Sequence, residues 1–253
     1  MSLKNKTIVI TGGGSGLGAD AARAARAAGA NLVLNGRSKD KLAAVANEID
    51  PGGEHVALVA GDVGDPDTAE RLIQTAAARF GGVDVVYNNA GIFGIKRLAD
   101  VTHSDLGDYF NLMAGYFTVT QLAANEMRKR GGGSIINIGS IWAMQGVAAT
   151  PSSVPAMAKG GIHALSRSLA IELAPENIRV NVIAPAVVET LLFDGVASAE
   201  EMAGFNAFHP LGRSGQPADI TAAFLFLADE AQSGWITGVI LPVDGGVTAG
   251  RNA

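Results

Sequence analysis

Cysteine is absent from the 253-residue chain, which excludes disulfides, thiolate catalysis and zinc–thiolate sites. Charge is sparse too: 17% of residues are charged, the net charge is −5, and Lys and Arg form no cluster longer than Arg128-Lys129-Arg130. That balance argues against nucleic acid or an anionic membrane as a partner. The N-terminus is polar through Lys6 and then enters a short apolar run, matching neither a signal peptide nor a membrane span. A soluble, cytoplasmic protein is expected. The four histidines, His55, His103, His163 and His209, are too scattered to suggest a metal site or a Ser-His-Asp arrangement, so no metal is expected. Tyrosine is scarce, at Tyr87, Tyr109 and Tyr116 only.

Against these absences stand 48% hydrophobic residues and 33 glycines, enough for a sizeable core. Short runs that are apolar throughout, as buried parallel strands are, recur at Thr7–Ile10, Asn31–Leu34, His55–Ala60, Val83–Tyr87, Ser134–Ile138 and Arg179–Ile183. Alanine-rich stretches of helical period separate them, at Leu17–Ala28, Lys39–Glu48, Pro66–Arg79, Leu106–Arg130 and Ala156–Leu173. This alternation predicts βαβ units, hence an α/β, Rossmann-like, doubly wound parallel sheet. No linker or repeat divides the chain, so residues 1–253 read as a single domain. Val239–Leu241 reads as a last strand, and the irregular Pro185–Gly215 as a substrate lid.

The first strand runs into Thr11-Gly12-Gly13-Gly14-Ser15-Gly16-Leu17-Gly18 and then a helix. Small residues there allow close approach of a pyrophosphate, and the helix N-terminus favours its charge. The second strand ends Asn35-Gly36-Arg37-Ser38, without the acid that would hydrogen-bond a ribose diol. Arg37 suits a 2′-phosphate instead, so NADP(H) is favoured over NAD(H); the alternative for Arg37 is a solvated surface residue. Ser15 adds no second cation to that case.

These residues closely resemble the short-chain dehydrogenase/reductase family over essentially the whole chain. The match rests on Thr11–Gly18, Asp62-Val63, Asn88-Asn89-Ala90-Gly91, Asn111, Ser140, Lys159, Pro185–Thr190 and Val243-Asp244-Gly245-Gly246, in that order. The resemblance implies that Gly12, Ser15, Gly16, Leu17 and Gly18 hold the cofactor, with Asp62 and Val63 near the adenine. Asn88, Ala90 and Gly91 would shape the middle of the cleft, and Pro185 and Thr190 would lie toward the nicotinamide. Pro185-Ala186 stands where the family has Pro-Gly. The resemblance also implies catalytic roles for Ser140, Lys159 and Asn111, with Lys159 binding ribose hydroxyls as well.

One position departs from the pattern. The family's proton-donating tyrosine lies four residues before the lysine, and that position holds Pro155. Proline carries no acidic proton, although its ring suits the first turn of a helix. The replacement proton sources in sequence reach are Ser152, Ser153, Lys159 through water and a substrate hydroxyl; Lys159 with water is favoured over a serine, an intrinsically poor acid. The related enoyl-thioester reductases place their tyrosine seven residues before the lysine, where this chain has Ser152, and space their first glycines differently. His209, in the lid, is a further candidate donor. Trp142, Met144, Gln145, Phe193, Phe205 and Phe208 suggest a mostly apolar substrate pocket. The expected function is NADP(H)-dependent reduction of a carbonyl, or oxidation of a secondary alcohol, on a small-molecule substrate. The alternative is a non-redox member that kept the cleft as a nucleotide-binding or sensing module. By analogy with the family, a homodimer or homotetramer is expected, with Leu106–Arg130 and Ala156–Leu173 supplying one interface and the C-terminal strand a candidate second.

Overall fold

The computed structural model describes residues 3–92, 94–147, 150–190 and 199–250. Seven parallel strands form one sheet: β1 (Thr7–Thr11), β2 (Asn31–Gly36), β3 (Val56–Ala60), β4 (Val85–Asn88), β5 (Gly133–Ile138), β6 (Ile178–Pro185) and β7 (Ile240–Val243). Their order is β3-β2-β1-β4-β5-β6-β7. The order reverses between β1 and β4, and it is outside the carboxyl ends of the strands at such a switch point that α/β sheets bind ligands. β1 is buried at every residue, as its unbroken Thr-Ile-Val-Ile-Thr run requires of a strand covered on both faces.

Helices cover both faces. On one lie α1 (Gly16–Ala27) and α2 (Lys39–Ile49), joined late in the chain by α7 (Pro217–Ala228), which packs on α1 and β5. Ile8, Ile10, Leu32, Leu34, Tyr87 and Phe224 centre that core. On the other lie α3 (Pro66–Phe80), α4 (His103–Arg130) and α5 (Ser153–Glu172), over Val9, Val33, Leu72, Tyr116, Ile135 and Val180. The alternation of β1 and β2 side chains between the two cores is the period-2 rule at work. Two short α-helices complete the described residues, α6 (Ala199–Phe208) and α8 (Glu230–Ser233).

The doubly wound single domain matches the sequence expectation, with strand and helix ends shifted by up to three residues. α4 starts at His103 rather than Leu106 because Thr102 and Asp105 form a reciprocal capping box. α7 was not expected: its Ile-Thr-Ala-Ala-Phe-Leu-Phe-Leu run is apolar nearly all round and gives no clear helical period. The stretch Pro185–Gly215, expected to be irregular, is partly regular among its described residues. Val188 bridges Gly215 and α6 occupies its second half, while Phe193 lies outside the described residues.

Candidate active site

The carboxyl ends of β1, β2, β4, β5 and β6 frame a cleft of about 710 Å³. At one end it is lined by Gly12, Gly14, Ser15, Gly16 and Leu17 of the first turn. Gly12 and Gly16 have positive φ, +68° and +52°, a region that glycine adopts at no steric cost. The α1 N-cap, Ser15, makes no side-chain capping bond, and the first turn carries no acid. The free N–H groups that begin any α-helix are therefore uncapped by side chain beside this cleft, a donor set suited to a pyrophosphate.

The turn is pinned to the neighbouring strand end. Thr11 Oγ1 accepts the N–H groups of Asn89 and Ala90, both at 3.0 Å, and Asn89 Nδ2 donates to Thr11 O and Gly12 O. Ala90 and Gly91 line the cleft, as do Asp62, Val63, Pro185, Ala186 and Thr190. Two expected residues do not line it. Asn88 is fully buried, donating to Thr120 Oγ1 and Asn137 Oδ1; Asn89 takes the lining position. Gly18 is buried behind the turn, where any Cβ would collide with Gly12 O, so it permits the close approach of α1 to the turn.

Arg37 lines the far end of the cleft together with Gly36 and Ser38. Neither Arg37 nor Lys41 enters an ion pair among the described residues. Lys41 was missed by the sequence reading. It sits in the first turn of α2, and its Cβ would lie 3.2 Å from a Cβ on Gly14. The β2 turn and α2 thus bring two cations to this end, where the sequence shows one arginine and the neutral Ser15.

At the other end stand Ser140, Lys159, Asn111, Pro155 and Ser152. Pro155 is the third residue of α5, in the turn whose N–H groups lack intrahelical acceptors, so the ring is accommodated. Lys159 follows one turn later and is 9% exposed. Its Nζ donates to Ile138 O at 2.6 Å and to Tyr116 Oη at 3.4 Å. Burial pulls this ammonium down to about 8. Ser140 Oγ accepts from Trp142 N, and its own N–H donates to Nε2 of the buried His163. That bond needs a neutral imidazole, and burial, then the charges of Lys159 and Arg167, hold His163 down to about 4. His163 therefore steadies the Ser140 backbone, a role its sequence position did not announce. The Asn111 side chain packs against Gly64 and ties α4 to the loop after β3.

Trp142 lines the cleft, donates Nε1–H to Thr150 Oγ1 and faces Phe208 at 6.4 Å between ring centroids. Met144 is 44% exposed, Gln145 reaches Val247 O, and Phe205 is half-buried with its carbonyl accepting from His209 Nδ1. His209 itself is buried and does not line the cleft. Ser152 Oγ donates to Thr150 O. Tyr109 lines the cleft and Tyr116 touches Lys159, so α4 brings to the site two of the three tyrosines that looked remote in sequence.

The profile of a family described as enoyl-(acyl carrier protein) reductase matches residues 12–248. An uncharacterized oxidoreductase of Methylorubrum extorquens is 38% identical over 250 residues, covering 97% of this chain and 98% of that one. The L-rhamnose 1-dehydrogenase (NAD(P)(+)) of a Sphingomonas species is 36% identical over 250 residues, covering 97% of each. A short-chain type dehydrogenase/reductase from Mycobacterium marinum superposes with a TM-score of 0.92 at 31% identity, covering 98% of both chains. Fold, ordered motifs and relatives agree: the chain belongs to the short-chain dehydrogenase/reductase family of nicotinamide-dependent oxidoreductases.

Proposed function

We propose that the protein is an NADP(H)-dependent oxidoreductase that interconverts a carbonyl and a secondary alcohol on a small molecule, with the Lys159 ammonium as its proton donor. The observation that carries this reading is Lys159 itself: a lysine in the cleft wall, buried, bonded to Ile138 O and Tyr116 Oη, beside a residue 155 with no proton to give.

The residues fit the cofactor. The uncapped first turn of α1 would take the pyrophosphate, Asp62 and Val63 the adenine, Arg37 and Lys41 the 2′-phosphate, and Lys159 the nicotinamide ribose. Ala90, Gly91, Pro185 and Thr190 would flank the ring, with Asn88 and Gly18 supporting from behind. Bound NADPH supplies the hydride to the substrate's carbonyl carbon.

Ser140 Oγ and the lysine then share the developing alkoxide. Lys159 uses two N–H bonds on Ile138 O and Tyr116 Oη, which leaves one to point into the cleft. It transfers that proton to the oxygen, directly or through a water ordered near Asn111, and takes another from solvent. An acid near pH 8 suits this work, because general acids act best when their pKa lies near the working pH. Loss of the tyrosine forfeits roughly 10²- to 10⁴-fold unless another acid replaces it.

A second reading has its own observation. Pro155 lines the cleft without donating anything, which suits a member that binds the nucleotide and performs no redox step. The two separate in one assay, NADPH absorbance followed across aldehydes and ketones. Substrate-dependent oxidation that falls at least 100-fold in Lys159→Ala is expected. Cofactor binding with no turnover would favour the binding module, and full turnover in Lys159→Ala would refute the lysine as donor.

The apolar stripes on α4 and α5 support assembly as a homodimer or homotetramer. Phe110 and Phe117 are 52% and 48% exposed, and Met157 and Ile171 48% and 77%.

A further inference from the structure

The reading of Lys159 as donor leaves open what holds an ammonium in so dry a place. We infer that Tyr116 is a positioning residue for Lys159, a phenol supplied by α4 that fixes the lysine Nζ where α5 offers proline instead of a hydroxyl. The inference rests on the function proposed above.

The geometry is specific. Tyr116 is 1% exposed, and its Oη lies 3.0 Å from Ala90 O, 3.5 Å from Ile138 O and 3.4 Å from Lys159 Nζ. A phenol has one proton. Given to Ala90 O, the nearest acceptor, it leaves the oxygen lone pairs facing Lys159. The ammonium also stands 5.1 Å from the Tyr116 ring centroid, within the range of cation–π attraction. Oxygen and ring therefore both favour the charged lysine, opposing the burial that disfavours it. Ala90 belongs to the turn pinned on Thr11, so Tyr116 also fixes Lys159 relative to the middle of the cleft.

The other titratable groups around this corner do not compete. Tyr87 on β4 and Tyr109 on α4 both have hydroxyls raised by burial, as Tyr116 does, and stay neutral. His163, the next turn of α5, is uncharged above about 4. Asp62, Asp108, Arg37 and Lys41 line the cleft from other elements and form no ion pair with Lys159 among the described residues.

The test is a carbon-13 NMR titration of lysine-labelled full-length protein, with the Lys159 signal assigned by its loss in Lys159→Met. Wild type should titrate near 8. Tyr116→Phe removes the oxygen acceptor and keeps the ring, so the midpoint should fall by about one unit. Tyr109→Phe, which removes a hydroxyl bonded to Ile92 O, should leave it in place. A midpoint unmoved in Tyr116→Phe overturns the inference. If that variant does not fold, 3-fluorotyrosine in the unmutated chain replaces it, its signals assigned through Tyr87→Phe and Tyr109→Phe. The Tyr116 fluorine should then sense a midpoint near 8, and a flat response there overturns the inference equally. NADPH oxidation on a ketone found in the screen tests the reading beneath it. In Tyr116→Phe the rate at pH 8 should fall about five-fold, with little change at pH 6. A moved lysine titration with an unmoved rate profile would uphold the pairing and refute Lys159 as donor.

Discussion

At the scale of single residues, the site is organised around a charge kept where water is scarce. Lys159 has one strong acceptor, Ile138 O, and one weaker one, Tyr116 Oη, and burial lowers it to about 8. The unfolded chain holds this proton up to the ordinary lysine range near 10.4. Between about 8 and 10.4 the unfolded state therefore binds more protons, so stability rises with pH across that window, and at neutral pH the full cost of the buried ammonium is present. Lys159→Met should then be more stable than wild type at pH 7, by about 1–2 kcal/mol after the lost bond to Ile138 O is counted. It should also lose turnover, and its stability should be flat where the wild type's climbs from pH 8 to 10. Urea denaturation at several pH values reads both effects. A destabilised Lys159→Met would mean the lysine serves the fold rather than the chemistry.

At the scale of elements, the decisive contacts are made where turns meet. Gly18 lets α1 descend onto Gly12 and Asn89, and the Thr11–Asn89–Ala90 bonds lock that turn to β4. Gly18→Ala should cost about 1–3 kcal/mol, because its methyl meets a backbone carbonyl that cannot yield. It should also weaken nucleotide binding, whereas Gly107→Ala in α4, with open space around it, should do neither; thermal melts and cofactor titration compare the two. Much of this level was legible in the sequence, since strands buried on both faces write themselves as unbroken apolar runs and the glycines mark the turn. What was hidden was hidden for physical reasons. α7 is too uniformly apolar to show a period, and Lys41 looked like any charge on a helix. Tyr116 lies 43 residues from Lys159, brought near only when α4 and α5 pack side by side. The same holds for His163, which reads as an ordinary helix residue until β5 delivers the Ser140 N–H to it.

At the scale of the whole molecule, no helix among the described residues is long and apolar enough to cross a membrane. α4 and α5 carry the exposed large apolar side chains Phe110, Phe117, Met157 and Ile171, the surface on which the proposed assembly is tested. Phe110, Ala114, Phe117 and Gln121 fall on one exposed stripe of α4, and Met157, Ala164, Ser168 and Ile171 on one of α5, spacings that place each set on a single helix face. The double variant Phe117→Glu, Ile171→Glu should shift the mass by light scattering from an oligomer toward a single chain. An unchanged mass would place any interface elsewhere. In the cleft at the sheet's switch point, the proposed function requires that Arg37 and Lys41, at the end of β2 and the start of α2, select a phosphorylated cofactor for a redox site built around Lys159. Fluorescence titration with NADPH and, separately, with NADH tests it without a substrate. NADPH should bind more tightly than NADH, at least ten-fold less so in Arg37→Ala with NADH little affected; equal affinities insensitive to Arg37, or binding of neither nucleotide, would show that these cations do not select the cofactor.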